Sequence, residues 1–224
     1  GALVVSLGAT ACGATSDEGG SAKIDQSKVV SEIRAKLPKK VLDDNVVSVV
    51  TDPSQAPYEF VDDSDKIVGI NPDLAAEVAA VLGVEFEWSR ADFAGLITGV
   101  TTKRHDMLIE AMWDTEKRRE QIDFVDNLVS ANNIVVPEGN PLGIKDLPDL
   151  CGRAVSTLEG SMMVELFEEY QPKCGKSPIK VSIAPTTADQ LLWLSTGRAQ
   201  ATIANPIVTQ FSLDQGSAKK IEVV

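Results

Sequence analysis

The chain has 224 residues, and 21 Lys and Arg stand against 33 Asp and Glu, which gives a formal charge of −12. This excess of acid argues against nucleic acid or an anionic membrane surface as a partner, because both are bound by clustered basic residues. Hydrophobic residues make up 43% and charged residues 24% of the chain, as in ordinary globular proteins. No apolar run reaches the 18 residues that a transmembrane helix requires.

The first residues have the composition of an export signal. Residues 1–11 (GALVVSLGATA) are apolar or small and are typical of the back half of a secretory signal peptide. They end in Ala9-Thr10-Ala11-Cys12, which is similar to a bacterial lipobox and predicts a lipid anchor on Cys12. A plain signal peptide with an incidental cysteine is the alternative. Residues 12–23, rich in Gly, Ser, Ala and acids, predict a flexible tether.

Helix and strand patterns alternate along the rest of the chain. Apolar residues at helical spacing predict a helix over 24–37, stopped by Pro38, and VVSVVT at 46–51 predicts a buried strand. Asp92 is expected to cap a helix over 93–102. The other predicted strands are 84–88, 107–109, 133–137, 154–156, 179–183 and 201–204, and the other predicted helices are 73–82, 161–170, 187–196 and one from 205 or 206. This alternation predicts an α/β fold with mainly parallel sheets.

The cysteines and the single histidine indicate which disulfide and which metal sites are to be expected. Once Cys12 is assigned to lipid, Cys151 and Cys174 remain, and an exported protein passes into an oxidising compartment. We therefore predict a Cys151–Cys174 disulfide with Cα atoms no more than about 7 Å apart. His105 is the single histidine, and no Gly-rich phosphate loop is present, so neither a metal nor a cofactor is expected.

An ordered series of short motifs resembles one protein family. The motifs are Thr51-Asp52-Pro53, Ala56 to Phe60, Ile67 to Leu74, Asp92-Phe93, Asp106-Met107, Thr115 to Arg118, Ile122 to Asp126, Asp149 to Gly152, Gly160-Ser161 and Leu194 to Ala199. In this order they resemble the extracellular solute-binding proteins of amino-acid ABC importers (family 3), most of all the lipoprotein members of actinobacteria.

This resemblance implies a type II periplasmic-binding-protein fold, with two α/β lobes around a cleft. Lobe 1 is expected at 24–127, a hinge at 128–131 and lobe 2 at 132–224. Family members cross back after lobe 2 and finish in lobe 1, so the C-terminal part of lobe 1 is expected to be missing from this sequence.

The resemblance also implies a ligand site. Arg118 matches the family's carboxylate-binding arginine, whose guanidinium can make two parallel bonds, and Thr115 either caps its helix or contacts the ligand. Gly160, Ser161 and Met162 match a loop whose backbone N–H groups meet the same carboxylate. The remaining matched positions are Asp52, Phe93, Glu110, Ala111 and Trp113. A structural role stays open for three of them: a turn for Asp52, and core packing for Phe93 and Trp113.

Two positions depart from the family pattern. The aromatic residue that stacks on the ligand is replaced by Gln55, and the acid that pairs with the ligand's ammonium group is replaced by Asn205. An amide can accept a hydrogen bond from an ammonium group but adds no charge. Glu110 is a candidate for supplying that charge, and a ligand without a free ammonium group is the other interpretation.

We therefore expect an extracytoplasmic, lipid-anchored, monomeric binding protein that captures an amino acid or related carboxylate and delivers it to an ABC permease, without catalysis. A sensor domain of a signalling receptor is one alternative. A lyase resembling cyclohexadienyl dehydratase, with Glu110 as general acid, is another.

Overall fold

The computed structural model describes residues 24–224. The signal peptide, the lipid anchor on Cys12 and the tether were predicted for residues 1–23, which lie outside the described residues. Within the described part, no helix combines the length and the apolar character needed to cross a membrane.

The described residues contain eight α-helices and eleven β-strands. The helices are α1 (Ser31–Arg34), α2 (Lys39–Asp44), α3 (Ile70–Leu82), α4 (Leu96–Thr101), α5 (Glu116–Arg119), α6 (Met162–Tyr170), α7 (Thr187–Ser195) and α8 (Pro206–Asp214). The strands are β1 (Val46–Thr51), β2 (Ser54–Gln55), β3 (Glu59–Val61), β4 (Ile67–Val68), β5 (Glu85–Arg90), β6 (Met107–Leu108), β7 (Asn133–Pro137), β8 (Ala154–Leu158), β9 (Lys180–Ala184), β10 (Ala201–Ala204) and β11 (Ile221–Val223).

The first half of the chain forms lobe 1 around a parallel sheet of order β5-β1-β6. Its central strand is β-branched and buried on both faces, with Val49 and Val50 fully inaccessible, as expected for a parallel strand covered by helices. A small antiparallel sheet of order β2-β3-β4 follows β1 in the chain and carries Gln55 and Glu59. Gln55 of this small sheet lines a cleft that lies between the two halves of the chain.

The second half forms lobe 2 around a mixed sheet of order β11-β7-β10-β8-β9. Apolar clusters fill both of its faces, one centred on Phe167 of α6 and the other on Leu191 and Leu194 of α7. Cys151 and Cys174 are bonded, with Cα atoms 5.3 Å apart, so the predicted disulfide is confirmed. The exact lobe and hinge boundaries (24–127, 128–131 and 132–224) stay a prediction.

Two of the predicted helices differ from the structure. The helix expected over 24–37 is reduced to the four residues of α1, whose apolar Ile33 is 44% exposed and so gains little from burial. Asp92 makes no side-chain cap; its carbonyl accepts from Gly95 in a 3₁₀ turn (Phe93–Gly95) that precedes α4.

Candidate functional site

A cleft between the two lobes brings most of the predicted site residues together. Its cavity volume is about 60 Å³, and it is open to solvent at its mouth. The predicted residues that line it are Gln55, Phe93, Ala111, Trp113 and Arg118 from lobe 1, and Ser161, Met162 and Asn205 from lobe 2. Other lining residues are Asn132, Leu158, Met163, Thr187, Gln190, Ile203, Ala204 and Val208.

Arg118 enters the cleft from the short helix α5. Thr115 caps this helix, because its hydroxyl oxygen accepts from the Arg118 N–H at 3.3 Å, and Thr115 is not among the residues that line the cleft. The Arg118 guanidinium lies 5.6 Å from the centre of the Phe93 ring. Phe93 is 6% exposed and belongs to a core cluster, so it acts both as wall and as core.

The Arg118 guanidinium is buried without a counter-ion. It is 8% exposed and donates to the Trp113 carbonyl at 2.7 Å and across the cleft to the Gly160 carbonyl at 3.2 Å. Over residues 24–224, no carboxylate forms an ion pair with it. Burial lowers the pKa of Arg118, because the charged form loses hydration. The nearby charge of Glu165 opposes this shift without forming an ion pair with Arg118, so the guanidinium is suited to pairing with an anion.

Gly160 and Ser161 meet Arg118 from lobe 2. Gly160 has φ +71°, and a Cβ there would lie 2.8 Å from the Ala94 Cα of lobe 1, so this close approach of the lobes requires glycine. Ser161 is the N-cap residue of α6 but makes no side-chain cap. Its hydroxyl lies 3.2 Å from the Thr157 hydroxyl. The start of α6 therefore faces the guanidinium, an arrangement suited to a carboxylate.

Glu110 lies behind Gln55 rather than on the cleft surface. Its carboxylate accepts from Gln55 Nε2 at 2.8 Å, from the Asp52 N–H at 2.7 Å, from the Thr51 hydroxyl at 3.1 Å and from the Ala111 N–H at 3.1 Å. Glu110 thus fixes the amide of Gln55, whose Oε1 is left as the group that can accept from a ligand.

Glu59 forms a buried pair with Glu110. It is fully buried on β3 and accepts from Asn71 Nδ2. Burial raises the pKa of Glu59 to about 7, and burial together with the charge of Glu59 raises the pKa of Glu110. Two carboxyl groups so close together cannot both ionise readily, and this repulsion adds to the effect of burial.

The other predicted positions divide between the cleft surface and its support. Asp52 is 6% exposed and is not among the lining residues, and burial raises its pKa. Trp113 is 38% exposed at the cleft, which does not fit a core-packing role. Within 24–224, no group of three or more His, Cys, Asp or Glu is placed to hold a metal ion.

The comparison with known proteins matches this architecture. The family model for bacterial extracellular solute-binding proteins, family 3, matches residues 47–209. The chain belongs to this family. Its fold is therefore that of the type II periplasmic binding proteins, as the motif series predicts.

Several relatives are named for the ligands that they bind. The chain is 32% identical to the arginine-binding extracellular protein ArtP of Bacillus subtilis (strain 168), over 69% of this chain and 58% of that protein. It is 32% identical to the lysine/arginine/ornithine-binding periplasmic protein of Escherichia coli (strain K12), over 72% of this chain and 61% of that protein. The structure of an ancestral arginine-binding protein bound to arginine matches with a TM-score of 0.73 and 30% identity, over 80% of this chain and 78% of that one. The chain thus spans about 58 to 61% of the length of these two curated relatives.

Four polar residues of the site were not found from the sequence: Glu59, Asn132, Thr187 and Gln190. Glu59 lies 51 residues before its partner Glu110, and only the fold brings the two carboxyl groups together. Thr187 follows another threonine at the start of α7. The sequence indicates a helix start there, but it does not show which of the two threonine hydroxyls caps the helix. Gln190 lies one turn further on α7, where the apolar pattern of the helix gave no reason to single it out.

Proposed function

We propose that this protein is an extracytoplasmic substrate-binding protein that captures an amino acid, or a related small carboxylate, in the interlobe cleft. The buried Arg118 guanidinium, which has only neutral partners, supports this proposal most directly. A ligand carboxylate would supply the missing counter-charge between Arg118 and the start of α6. The family assignment and the relatives named for arginine binding support an amino acid as the ligand.

The proposal includes delivery to the membrane subunits of an ABC importer and anchoring through a lipid on Cys12, with the protein acting as a monomer and without catalysis. The lipobox-like sequence before Cys12 supports the anchor. Labelling with a radioactive fatty acid in the native host tests it: the Cys12→Ser variant should lose the label, and a labelled variant would refute the anchor.

Calorimetry with L-arginine tests the binding function. Arg118→Ala should abolish binding, because a ligand carboxylate buried without a partner costs several kcal/mol. Arg118→Lys should weaken binding strongly, since an ammonium group cannot make two parallel bonds to a carboxylate.

Arg119→Ala is the matched control for this experiment. Arg119 is the next residue of α5, but its side chain is exposed and pairs with Asp114 outside the cleft. Its variant should bind L-arginine as the wild type does. Equal affinity of the wild type and Arg118→Ala would contradict the assignment of the site.

A further inference from the structure

The amide of Asn205 is occupied by the protein itself. Its Oδ1 accepts from the N–H groups of Ile207 at 2.9 Å and Val208 at 3.4 Å, which caps α8. Its Nδ2 donates to the Ser130 hydroxyl at 2.6 Å and to the Tyr58 hydroxyl at 3.4 Å. An amide oxygen has two acceptor positions, and both are used. A nitrogen group of a ligand therefore needs another acceptor on lobe 2.

Thr187 offers an unused hydroxyl at the cleft. Its Oγ1 is buried and makes no hydrogen bond with any group of the described chain, and the residue is only 6% exposed while lining the cleft. The start of α7 does not need this hydroxyl, because Thr186 already accepts from the Asp189 N–H at 3.1 Å. A buried polar group left unpaired costs about 1–3 kcal/mol, so this hydroxyl calls for a partner from outside the chain.

Gln190 sets the polarity of the same wall. It lies three residues after Thr187, on the same face of α7. Its Nε2 donates to the Thr202 hydroxyl at 2.6 Å and to the Ile203 carbonyl at 3.0 Å, and Thr202 in turn donates to the Ser156 carbonyl at 2.7 Å. This buried chain of bonds fixes the amide, so its Oε1 is the atom left for the cleft. An amide oxygen only accepts, which makes the wall a site for a donor.

We propose that Thr187 and Gln190 form an acceptor subsite on lobe 2 for an N–H group of the ligand whose carboxylate pairs with Arg118. This inference rests on the proposed function and specifies its ligand as a carboxylate that also carries a hydrogen-bond-donating nitrogen. Gln55 supports the same polarity from lobe 1, because its Nε2 is bound to Glu110 and its Oε1 can accept. An α-ammonium group and a side-chain guanidinium share this chemistry.

Calorimetry on Thr187→Val with L-arginine tests the subsite. Valine keeps the branched shape and removes the hydroxyl, and we expect affinity to fall about tenfold or more. Thr187→Ser restores a hydroxyl and should recover most of the affinity. The unliganded Thr187→Val protein should melt at or above the wild-type temperature, because an unpaired buried hydroxyl has been removed. A purely structural role for Thr187 predicts the opposite shift.

A control variant and a second ligand complete the experiment. Thr196→Val removes a hydroxyl from the C-terminal end of the same helix, where it donates to the Leu192 carbonyl, and should leave affinity unchanged. With 5-guanidinopentanoic acid, which lacks the α-amino group, a persisting effect of Thr187→Val assigns the subsite to the guanidinium. Disappearance of the effect assigns it to the α-ammonium group.

The failures of the two proposals differ. If the wild type and Thr187→Val bind L-arginine equally while Arg118→Ala does not bind, the subsite is refuted and the proposed function stands. If the wild type itself does not bind L-arginine, the proposed function fails for this ligand and the subsite fails with it.

Discussion

The two walls of the cleft differ in how they carry charge. Lobe 1 contributes a buried cation, Arg118, and the buried carboxyl groups of Asp52, Glu59 and Glu110, which do not line the cleft. Lobe 2 contributes neutral groups, namely the hydroxyls of Ser161 and Thr187, the amide of Gln190 and the thioethers of Met162 and Met163. Buried charges demand compensation, whereas neutral polar groups demand only hydrogen bonds. From this contrast we expect lobe 1 to select the charge of a ligand and lobe 2 to select its shape and its hydrogen bonds.

The lobes also differ in what holds them together. Lobe 2 has a five-stranded sheet with apolar clusters on both faces and a disulfide that closes a 23-residue separation. Lobe 1 has a three-stranded parallel sheet, and it contains the buried carboxyl groups of Glu59 and Glu110, which interact with each other. We therefore expect the free energy of unfolding to fall when the disulfide of lobe 2 is removed. We also expect it to depend on pH through the carboxyl groups of lobe 1.

Removing the disulfide should have the largest effect, and it should act on lobe 2. The double variant Cys151→Ser, Cys174→Ser should lower the free energy of unfolding by roughly 3 kcal/mol, because the unfolded chain regains the entropy of an open loop. Urea unfolding under non-reducing conditions measures the change, and Ser177→Ala nearby serves as the control. An unchanged midpoint would show that lobe 2 does not depend on its crosslink.

The carboxyl pair should make lobe 1 sensitive to pH. The folded-state pKa of Glu59, about 7, lies above its ordinary value of 4.5. The unfolded chain therefore releases a proton that the folded chain retains, and stability should fall as pH rises from about 5 to 7. Glu59→Gln keeps the shape without the charge and should flatten this fall, with a gain of roughly 1–3 kcal/mol at pH 8.

Thermal unfolding from pH 5 to pH 8 measures this effect. Glu87→Gln on β5 removes an exposed carboxylate from the same lobe and is the control. A Glu59→Gln profile parallel to that of the wild type would mean that Glu59 does not titrate between pH 5 and pH 8 in the folded protein.

The approach of the walls can be tested at Gly160. In Gly160→Ala the new Cβ meets the Ala94 backbone, so the lobes must separate, and affinity for L-arginine should fall about tenfold. Gly197→Ala is the matched control, because Gly197 has a similar φ of +77° and open space around the Cβ position. Both variants should lose comparable stability from backbone strain. Weakened binding in both would show that strain, not lobe contact, is responsible.

The regular strands could be predicted from the sequence because their cause is local. Residues 46–51, 133–137 and 201–204 are apolar or β-branched runs between turns, and the structure has strands with those bounds. Strands β2, β3 and β4 have only two or three residues each and pair through a turn, so no periodic pattern marks them. The helix at 24–37 was overestimated because spacing predicts an apolar face but not a surface to bury it.

Site residues could be predicted from the sequence where a short motif contains a charged residue. They could not be predicted where their role depends on burial in the folded chain. Arg118 stands out in its motif, and the structure places it at the cleft. The burial of Glu59 and Glu110 together depends on residues far apart in the chain. The free hydroxyl of Thr187 depends on Thr186 capping the helix, and the two hydroxyls are alike in sequence.

The smallest expected effect concerns an ion pair that joins the walls at the surface. Lys117 of α5 pairs with Glu165 of α6, and both side chains are largely exposed, 67% and 48%. Water and salt screen such a pair, so Lys117→Met should change affinity for L-arginine by less than about threefold, and less still at 0.5 M salt. Lys117 and Arg118 are neighbours, yet one should matter little and the other should be essential. The reason is burial: the charge of Lys117 is exposed to solvent, whereas that of Arg118 is largely buried and forms no ion pair among residues 24–224. Calorimetry on Lys117→Met, Glu165→Gln and the double variant measures the coupling, and a large, salt-independent loss would place part of the charge selection at the rim instead of inside lobe 1.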